Sequence, residues 1–216
     1  MTEILSAYRK LLAAADAWFA RCLALAPDQI RCGEGCAGCC HGLFDITFLD
    51  ALALRDGLAA LPAEERGTVR GRASAQVARR QEKWPAFQPP YLLNGIPPEE
   101  WDCPEENATP CPLLSAAGRC LAYADRPLTC RLHGLPHVDF SGEVFDDAWC
   151  TRNFSATDPL ASHQLRGGFR QLYTDEARLL RQLAARFGIA GGELDTFIAA
   201  ALLLDWPLNF GAKGTI

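Results

Sequence analysis

Four cysteines, Cys32, Cys36, Cys39 and Cys40, fall within the text RCGEGCAGCCHG from Arg31 to Gly42. The spacing C-x3-C-x2-C-C suits metal ligation. Thiolates are soft donors, the short gaps let several sulfurs converge on one centre, and the interspersed glycines let the backbone turn between them. Inert structural cysteines behave as small hydrophobes on an apolar stripe, whereas this loop is polar. The neighbours Cys39 and Cys40 add a constraint, because adjacent side chains diverge in most backbone conformations. The pair therefore suggests two metal centres, a polynuclear centre, or one ligand beside a bystander.

A second group follows: Cys111, Cys120, Cys130 and Cys150. Four plus four thiolates suit two four-cysteine zinc sites, or one cluster with a separate ion. So many thiolates on a divalent cation leave excess negative charge, which Arg31, Arg126, Arg131 and His133 are near enough in sequence to offset. Of these, Arg126 and Arg131 are the candidate cofactor-binding residues, and ordinary structural arginines are the competing reading. His41, His133 and His137 are candidate ligands or proton donors, though a lone histidine is more often a hydrogen-bonded structural residue. Asp45, Asp146 and Asp147 offer oxygen ligands if iron is held as ions. Cys22 lies on the apolar face of the first helix and reads as core. Cys103 precedes Pro104 in a loop and reads as a spare ligand or free thiol.

The elements that position these residues are mainly helical. From Glu3 to Ala26 apolar residues recur at helical spacing, and Pro27 ends the run. Thr47 and Asp50 read as a capping-box pair before an apolar helix to Leu61, and Pro62 separates it from a second helix, Ala63–Trp84, with a polar, arginine-rich face. Pro85 to Pro112 holds eight prolines and cannot be regular helix. Short strands are expected near Arg119–Tyr123 and Leu135–Phe140. Asp158-Pro159 reads as the start of a helix running toward Phe187, with a kink or break at Gly167-Gly168. A last helix is expected over Glu193–Leu204. The expected fold is mainly α in a single domain, residues 1–216. Helical segments 3–26, 46–84 and 158–206 pack around an irregular, proline-rich, cysteine-bearing metal-binding core at 31–150.

Composition bounds the function class. The chain has 216 residues, 49% hydrophobic and 22% charged, with formal net charge −5. Phosphate binding wants a surplus of Lys and Arg, so nucleic acid is not an expected partner. No long uncharged apolar run spans a membrane, and the first twelve residues do not read as a signal peptide. Ten cysteines in such a chain point to metal binding in a reducing cytoplasm, and a disulfide framework in an exported protein is the competing reading.

The compound pattern C-x3-C-x2-C-C, then CP-x-L, then C-x2-Y-x2-R-P-x2-C-R resembles the CxxCxxCC, or YkgJ-like, family of bacterial cysteine-cluster proteins. The matching residues are Cys32, Cys36, Cys39 and Cys40; Cys111, Pro112 and Leu114; and Cys120, Tyr123, Arg126, Pro127, Cys130 and Arg131. The first gap is three residues here rather than the two of the family's label. The resemblance implies a zinc- or iron-chelating region over roughly Cys32 to Cys150. Some relatives carry the labels iron–sulfur oxidoreductase or flagellin lysine methylase.

An iron–sulfur cluster or iron is the expected cofactor, with zinc as the alternative. The expected role is redox or iron handling. A structural-zinc interaction module is the alternative, and a lysine methylase-like enzyme or accessory the weaker one. Any enzymatic activity would be that of an iron–sulfur oxidoreductase or be related to methylation. Cys32, Cys36 and Cys39 match the three-cysteine spacing of radical S-adenosylmethionine enzymes, but the chain lacks their alternating strand–helix pattern. No glycine-rich methyl-donor loop between strand and helix is present. Metal is the expected partner, and a protein partner is left open.

Overall fold

Helix α1, Thr2–Leu25, buries Ile4, Leu5, Tyr8, Leu12, Ala15, Trp18 and Cys22. These fall mostly three or four apart, which puts them on one face. The computed structural model describes residues 1–94, 96–101, 108–189, 194–206 and 208. It is about half helical, with six α-helices among the described residues.

Strand β1, Asp45–Thr47, leads directly into helix α2, Phe48–Ala60. The Thr47 hydroxyl accepts from the Asp50 N–H at 3.4 Å, the first half of the expected capping box. The reciprocal half is present too: a backbone hydrogen bond from Thr47 to the Asp50 carboxylate acts to lower its pKa, as do those from its inward partners. Phe48 to Leu54 are all buried. A helix apolar on every side belongs at the centre of a core. Helix α3, Ala63–Lys83, is its opposite, burying only Val69, Ala73, Gln76, Val77 and Arg80. Glu64 and Glu65 in its first turn and Arg80 and Lys83 in its last complement the helix dipole. Most of its arginines face solvent as expected, and buried Arg80 lies over the Trp84 ring.

Helix α4, Leu128–Leu132, is a short turn that begins after Pro127. Strands β2, His137–Val138, and β3, Val144–Asp146, form an antiparallel hairpin. The expected strand near Leu135–Phe140 is thus present in shortened form. Around Arg119–Tyr123 only an isolated bridge, Leu114 with Cys120, is formed.

The expected helix from Asp158 is corrected. Asp158 does cap a proline-led turn, accepting from Leu160 N at 2.9 Å, but the turn is a 3-10 segment, Pro159–Ala161. A second 3-10 turn follows at His163–Leu165. The chain breaks fully at Gly167-Gly168, and helix α5, Phe169–Arg186, starts afterwards. The cause is packing: a Cβ on Gly167 would meet Trp18 Cδ1 at 2.9 Å. Gly167 also exchanges backbone hydrogen bonds with Val138 and Phe140, at 2.9 Å each. The last helix is corrected too. Asp195–Phe197 is a strand, β4, and only Ile198–Ala201 forms helix α6. β4 pairs antiparallel with β1 in the register Asp45 with Phe197 and Thr47 with Asp195. Each strand feeds a helix, and Phe48 N and Ile198 N donate across the pair to Leu194 O and Phe44 O at 2.8 and 3.0 Å. Propensity for a helix over 195–197 is overridden by this ladder.

The buried side chains form one apolar cluster from Ile4 to Leu204, with Cys32, Cys111, Cys120 and Cys130 packed against it. Within 85–112, Phe87 and Leu93 are buried in that cluster and Pro98–Glu100 is a 3-10 turn. Cys103 lies outside the described residues. None of the helices among the described residues is long and apolar enough to cross a membrane.

Candidate metal centre

Backbone pairing brings the two cysteine groups together. Turns of the Arg31–Gly42 loop are closed by Cys36 N to Gly33 O at 3.0 Å and Cys40 N to Ala37 O at 3.1 Å. The loop then pairs with a distant segment. Cys111 N donates to Cys40 O and Gly42 N to Thr109 O, each at 2.8 Å, around an antiparallel bridge of His41 with Pro110. A turn from Ser115 to Arg119, with Gly118 at φ +72°, returns the chain so that Leu121 N donates to Leu113 O at 2.9 Å. Cys120 thereby lies alongside the Cys111 segment. Cys130 rides on α4, and Asp50 fixes that helix. Asp50 Oδ1 accepts from Leu128 N at 2.8 Å and from the Tyr8 hydroxyl at 2.6 Å. One carboxylate from α2 thus caps α4 and ties it to α1.

Cys150 is placed by a separate clamp. Asn153, 1% exposed, accepts from Arg31 N at 2.8 Å and donates to Gly134 O at 2.7 Å and the Cys32 sulfur at 3.1 Å. Asn153 N in turn donates to Cys150 O at 2.8 Å, and Cys150 N to Gly134 O at 3.3 Å. Gly134 sits at φ +107°, and a Cβ there would come within 2.8 Å of the Cys32 sulfur and 3.8 Å of Cys150 Cβ. Glycine is required on both counts. Arg152 Nη1 reaches the Cys36 sulfur at 3.6 Å.

Seven of the eight predicted ligands line one cavity of about 450 Å³: Cys32, Cys36, Cys39, Cys40, Cys111, Cys120 and Cys130. Phe19, Leu23, Phe44 and Leu113 supply apolar wall, and Asp16, Arg126, Arg131 and His133 line it as well. Cys150 is not in the lining. The sulfurs rim the cavity rather than meet at a point. Among the described residues no three His, Cys, Asp or Glu side chains are gathered to hold one ion. All nine described cysteines are free thiols.

Electrostatics link the sulfurs across the two sequence groups. Cys40 feels Cys111, Cys130 and Cys120, while Cys32 feels Cys150, Cys36 and Cys39. Burial pushes Cys111 up to about 11 and raises Cys120 and Cys130 as well. A hydrogen bond between the Cys39 and Cys40 thiols raises the first and lowers the second. The adjacent side chains are thus close enough to influence each other's ionisation. Buried thiols of raised pKa ionise when a cation takes the place of their protons. The donor set therefore fits a thiophilic metal or an iron–sulfur group, and the cavity is wider than one ion needs.

The other candidates separate clearly. Arg126 donates to Asp16 at 2.8 Å and to Tyr123 O at 3.0 Å, and its positive charge lowers Cys120. Arg131, 5% exposed, pairs with Asp16 and donates to Arg126 O at 2.9 Å and Ala124 O at 2.6 Å. Its donors hold the 123–131 turn that leads to Cys130. His137 is buried away from the cavity, with Tyr173 Oη 2.8 Å from Nδ1 and Phe169 stacked on its ring, and burial lowers its pKa. His41 is exposed, 3.2 Å from Ala37 O. Asp45, Asp146 and Asp147 are not in the cavity lining. Cys22 is fully buried, its thiol 3.6 Å from Leu165 O, as core placement requires.

Asp50, Tyr8, Asp16, Gly134, Arg152 and Asn153 were not legible as parts of this site. Their partners lie far away in sequence. Only Arg152 and Asn153, directly after Cys150, carried a local signal, because polar donors beside a ligand orient sulfur.

No curated protein and no solved structure matches the chain. The sequence profile of one family does match, over residues 31–151, more than half of the 216, and it is described as "Putative zinc- or iron-chelating domain". It spans both cysteine groups and ends just short of Arg152 and Asn153, and the chain belongs to this family, CxxCxxCC.

Proposed function

We propose that the protein holds an iron–sulfur or iron centre on thiolates from both cysteine groups and serves a redox or iron-handling role in the cytoplasm. Cys32, Cys36, Cys39, Cys40, Cys111, Cys120, Cys130 and Cys150 are the ligands, and residues 1–216 act as one unit. The observation that carries this reading is the shared cavity of about 450 Å³ lined by seven of those eight. A lone zinc ion with four sulfurs about 2.3 Å away needs far less room. When bound, the group would supply electron transfer or releasable iron. The chain's own residues then have plain tasks. Arg126 and Arg152 offset thiolate charge, Asn153 orients Cys32, Arg131 holds the turn before Cys130, and the apolar wall keeps water from most of the cavity.

Purification without oxygen, followed by an absorption spectrum and analysis for iron, sulfide and zinc, tests the reading. A brown protein with iron in excess of zinc is expected. A colourless protein with integral zinc that loses its fold on chelation would establish the structural-zinc reading. That reading draws support from the mutual electrostatic influence of Cys40, Cys111, Cys120 and Cys130. A lysine-methylation role draws none from the fold. Among the described residues both sheets are two-stranded and antiparallel, unlike a methyl-donor-binding βαβ unit.

A further inference from the structure

We infer that the surface where α1 meets the 139–143 turn is a docking site for an acidic segment of a partner protein, one that carries apolar side chains beside its carboxylates. The site is built on Arg21 and Leu25 of α1, Phe140 of the turn, and Arg166. None of these four lines the cysteine cavity, and the site uses none of its thiols.

Two positive charges there have no acid to answer them. Arg166 Nε is buried without a hydrogen-bond partner among the described residues. The rest of its guanidinium lies against Gly142, where a Cβ would meet Nη1 at 3.5 Å and Nη2 at 3.6 Å. Arg21 donates from both Nη groups to carbonyl oxygens, of Gln164 at 2.6 Å and of Arg166, so its charge is not offset. The carboxylates of the adjoining turn are engaged elsewhere. Asp139 accepts from Ser141 N and Arg170 N at 2.9 Å each, and Glu143 pairs with Arg170. A buried guanidinium nitrogen without an acceptor costs free energy, and a carboxylate from outside would supply a charge-assisted bond.

Apolar side chains flank the charges. Phe140 is 67% exposed, more than any other large apolar side chain among the described residues, and Leu25 is 48% exposed. Leu25 lies one helical turn beyond Arg21 and shares its face. Phe140 N donates to Gly167 O at 2.9 Å, which seats the ring next to the Arg166 backbone. Exposed aromatic and arginine side chains side by side are the composition of a binding hot spot. They set the partner's chemistry: carboxylates for the guanidiniums, apolar residues for Phe140 and Leu25. A nucleic acid or an anionic lipid surface fits less well. The net charge of −5 repels a long polyanion, and two guanidiniums offer few phosphate contacts. Because α1 presents Phe19 and Leu23 to the cavity, a partner seated on Arg21 and Leu25 lies across one helix from the cysteines.

The test presents the full chain, purified without oxygen, to a displayed library of random short peptides. Enrichment of peptides that join Asp or Glu to Leu or Phe is expected. Their affinity, measured by fluorescence anisotropy on labelled synthetic copies, should fall at least about ten-fold in Arg166→Ala and in Phe140→Ala. Both variants should keep the wild-type metal content and thermal melt. Arg166→Lys should recover part of the affinity, and added salt should weaken binding several-fold in wild type. Should Arg166→Ala melt early, Phe140→Ala, at an exposed position, decides alone. No enrichment of acidic peptides, or affinities unchanged in the variants, overturns the assignment. So does binding of duplex DNA or of phosphatidylserine vesicles that depends on Arg166 as the peptides do.

Discussion

The Asn153 side-chain amide donates to the Cys32 sulfur at 3.1 Å, joining the two ends of the cysteine-bearing region. The same amide group donates to Gly134 O and accepts from Arg31 N, so every polar atom of a fully buried side chain has a partner. Asn153→Leu should remove those bonds and leave a buried N–H and carbonyl unpaired. A loss of about 3 kcal/mol in unfolding free energy is expected, measured by urea denaturation. A loss below a few tenths would show that the clamp does not order the region.

Gly134 offers a sharper probe of the same contact. Gly134→Ala forces a left-handed backbone on a residue that resists it and drives a methyl group against the Cys32 sulfur. Destabilisation by about 2 kcal/mol is expected, with faster reaction of Cys32 toward a thiol reagent as it is pushed from its partner Asn153. Peptide mapping after a short pulse of reagent would check this. Unchanged Cys32 labelling would contradict the packing described.

How far the site was legible follows from these two residues. The spacing of Cys32, Cys36, Cys39 and Cys40 announced ligands because it is local. Neither Asn153 nor Gly134 could be read that way, since their meaning depends on contacts across more than a hundred positions in one case and on a backbone angle in the other. The helices α1, α2, α3 and α5 were legible from apolar period and proline punctuation. Asp195–Phe197 was not, because its apolar text suits helix and strand alike and only pairing with Asp45–Thr47 decides. Asp50 was legible as half of a capping box with Thr47, but not as the carboxylate that also serves α4 and Tyr8.

A buried carboxyl pair gives the fold a pH dependence. Burial raises Asp50 from 3.8 to about 6 and half-buried Glu176 from 4.5 to about 8. Tyr8 gives its proton to Asp50, and its contact with Glu176 offsets only part of the upward shift that burial and the Asp50 charge impose there. A carboxyl whose pKa rises on folding keeps its proton in the folded chain where the unfolded chain has lost it. The stability so supplied is complete below the unfolded value and is lost as pH climbs through the folded one. The stability of the metal-free chain should therefore fall from about pH 4.5 to about pH 8, and Glu176→Gln should flatten most of that slope. A series of urea melts across the range checks it, and stability rising over the same interval would contradict it.

Cys39 and Cys40 are adjacent yet face different neighbours, so their serine variants should differ. Cys40→Ser should remove most of the metal, because Cys40 is paired with Cys111 through the backbone. Cys39→Ser should reduce total metal only in part. Metal counting on both variants decides, and equal losses would contradict the difference in their surroundings.

The central claim is that sulfurs from both sequence groups surround one metal centre. X-ray absorption spectroscopy of the protein purified without oxygen tests it most directly, on wild type and on Cys111→Ser. The account predicts sulfur alone as the nearest neighbour of the metal in wild type, and fewer sulfurs per metal, or less metal, in the variant. A neighbour shell of nitrogen and oxygen, or a spectrum and metal content unchanged by Cys111→Ser, would contradict it.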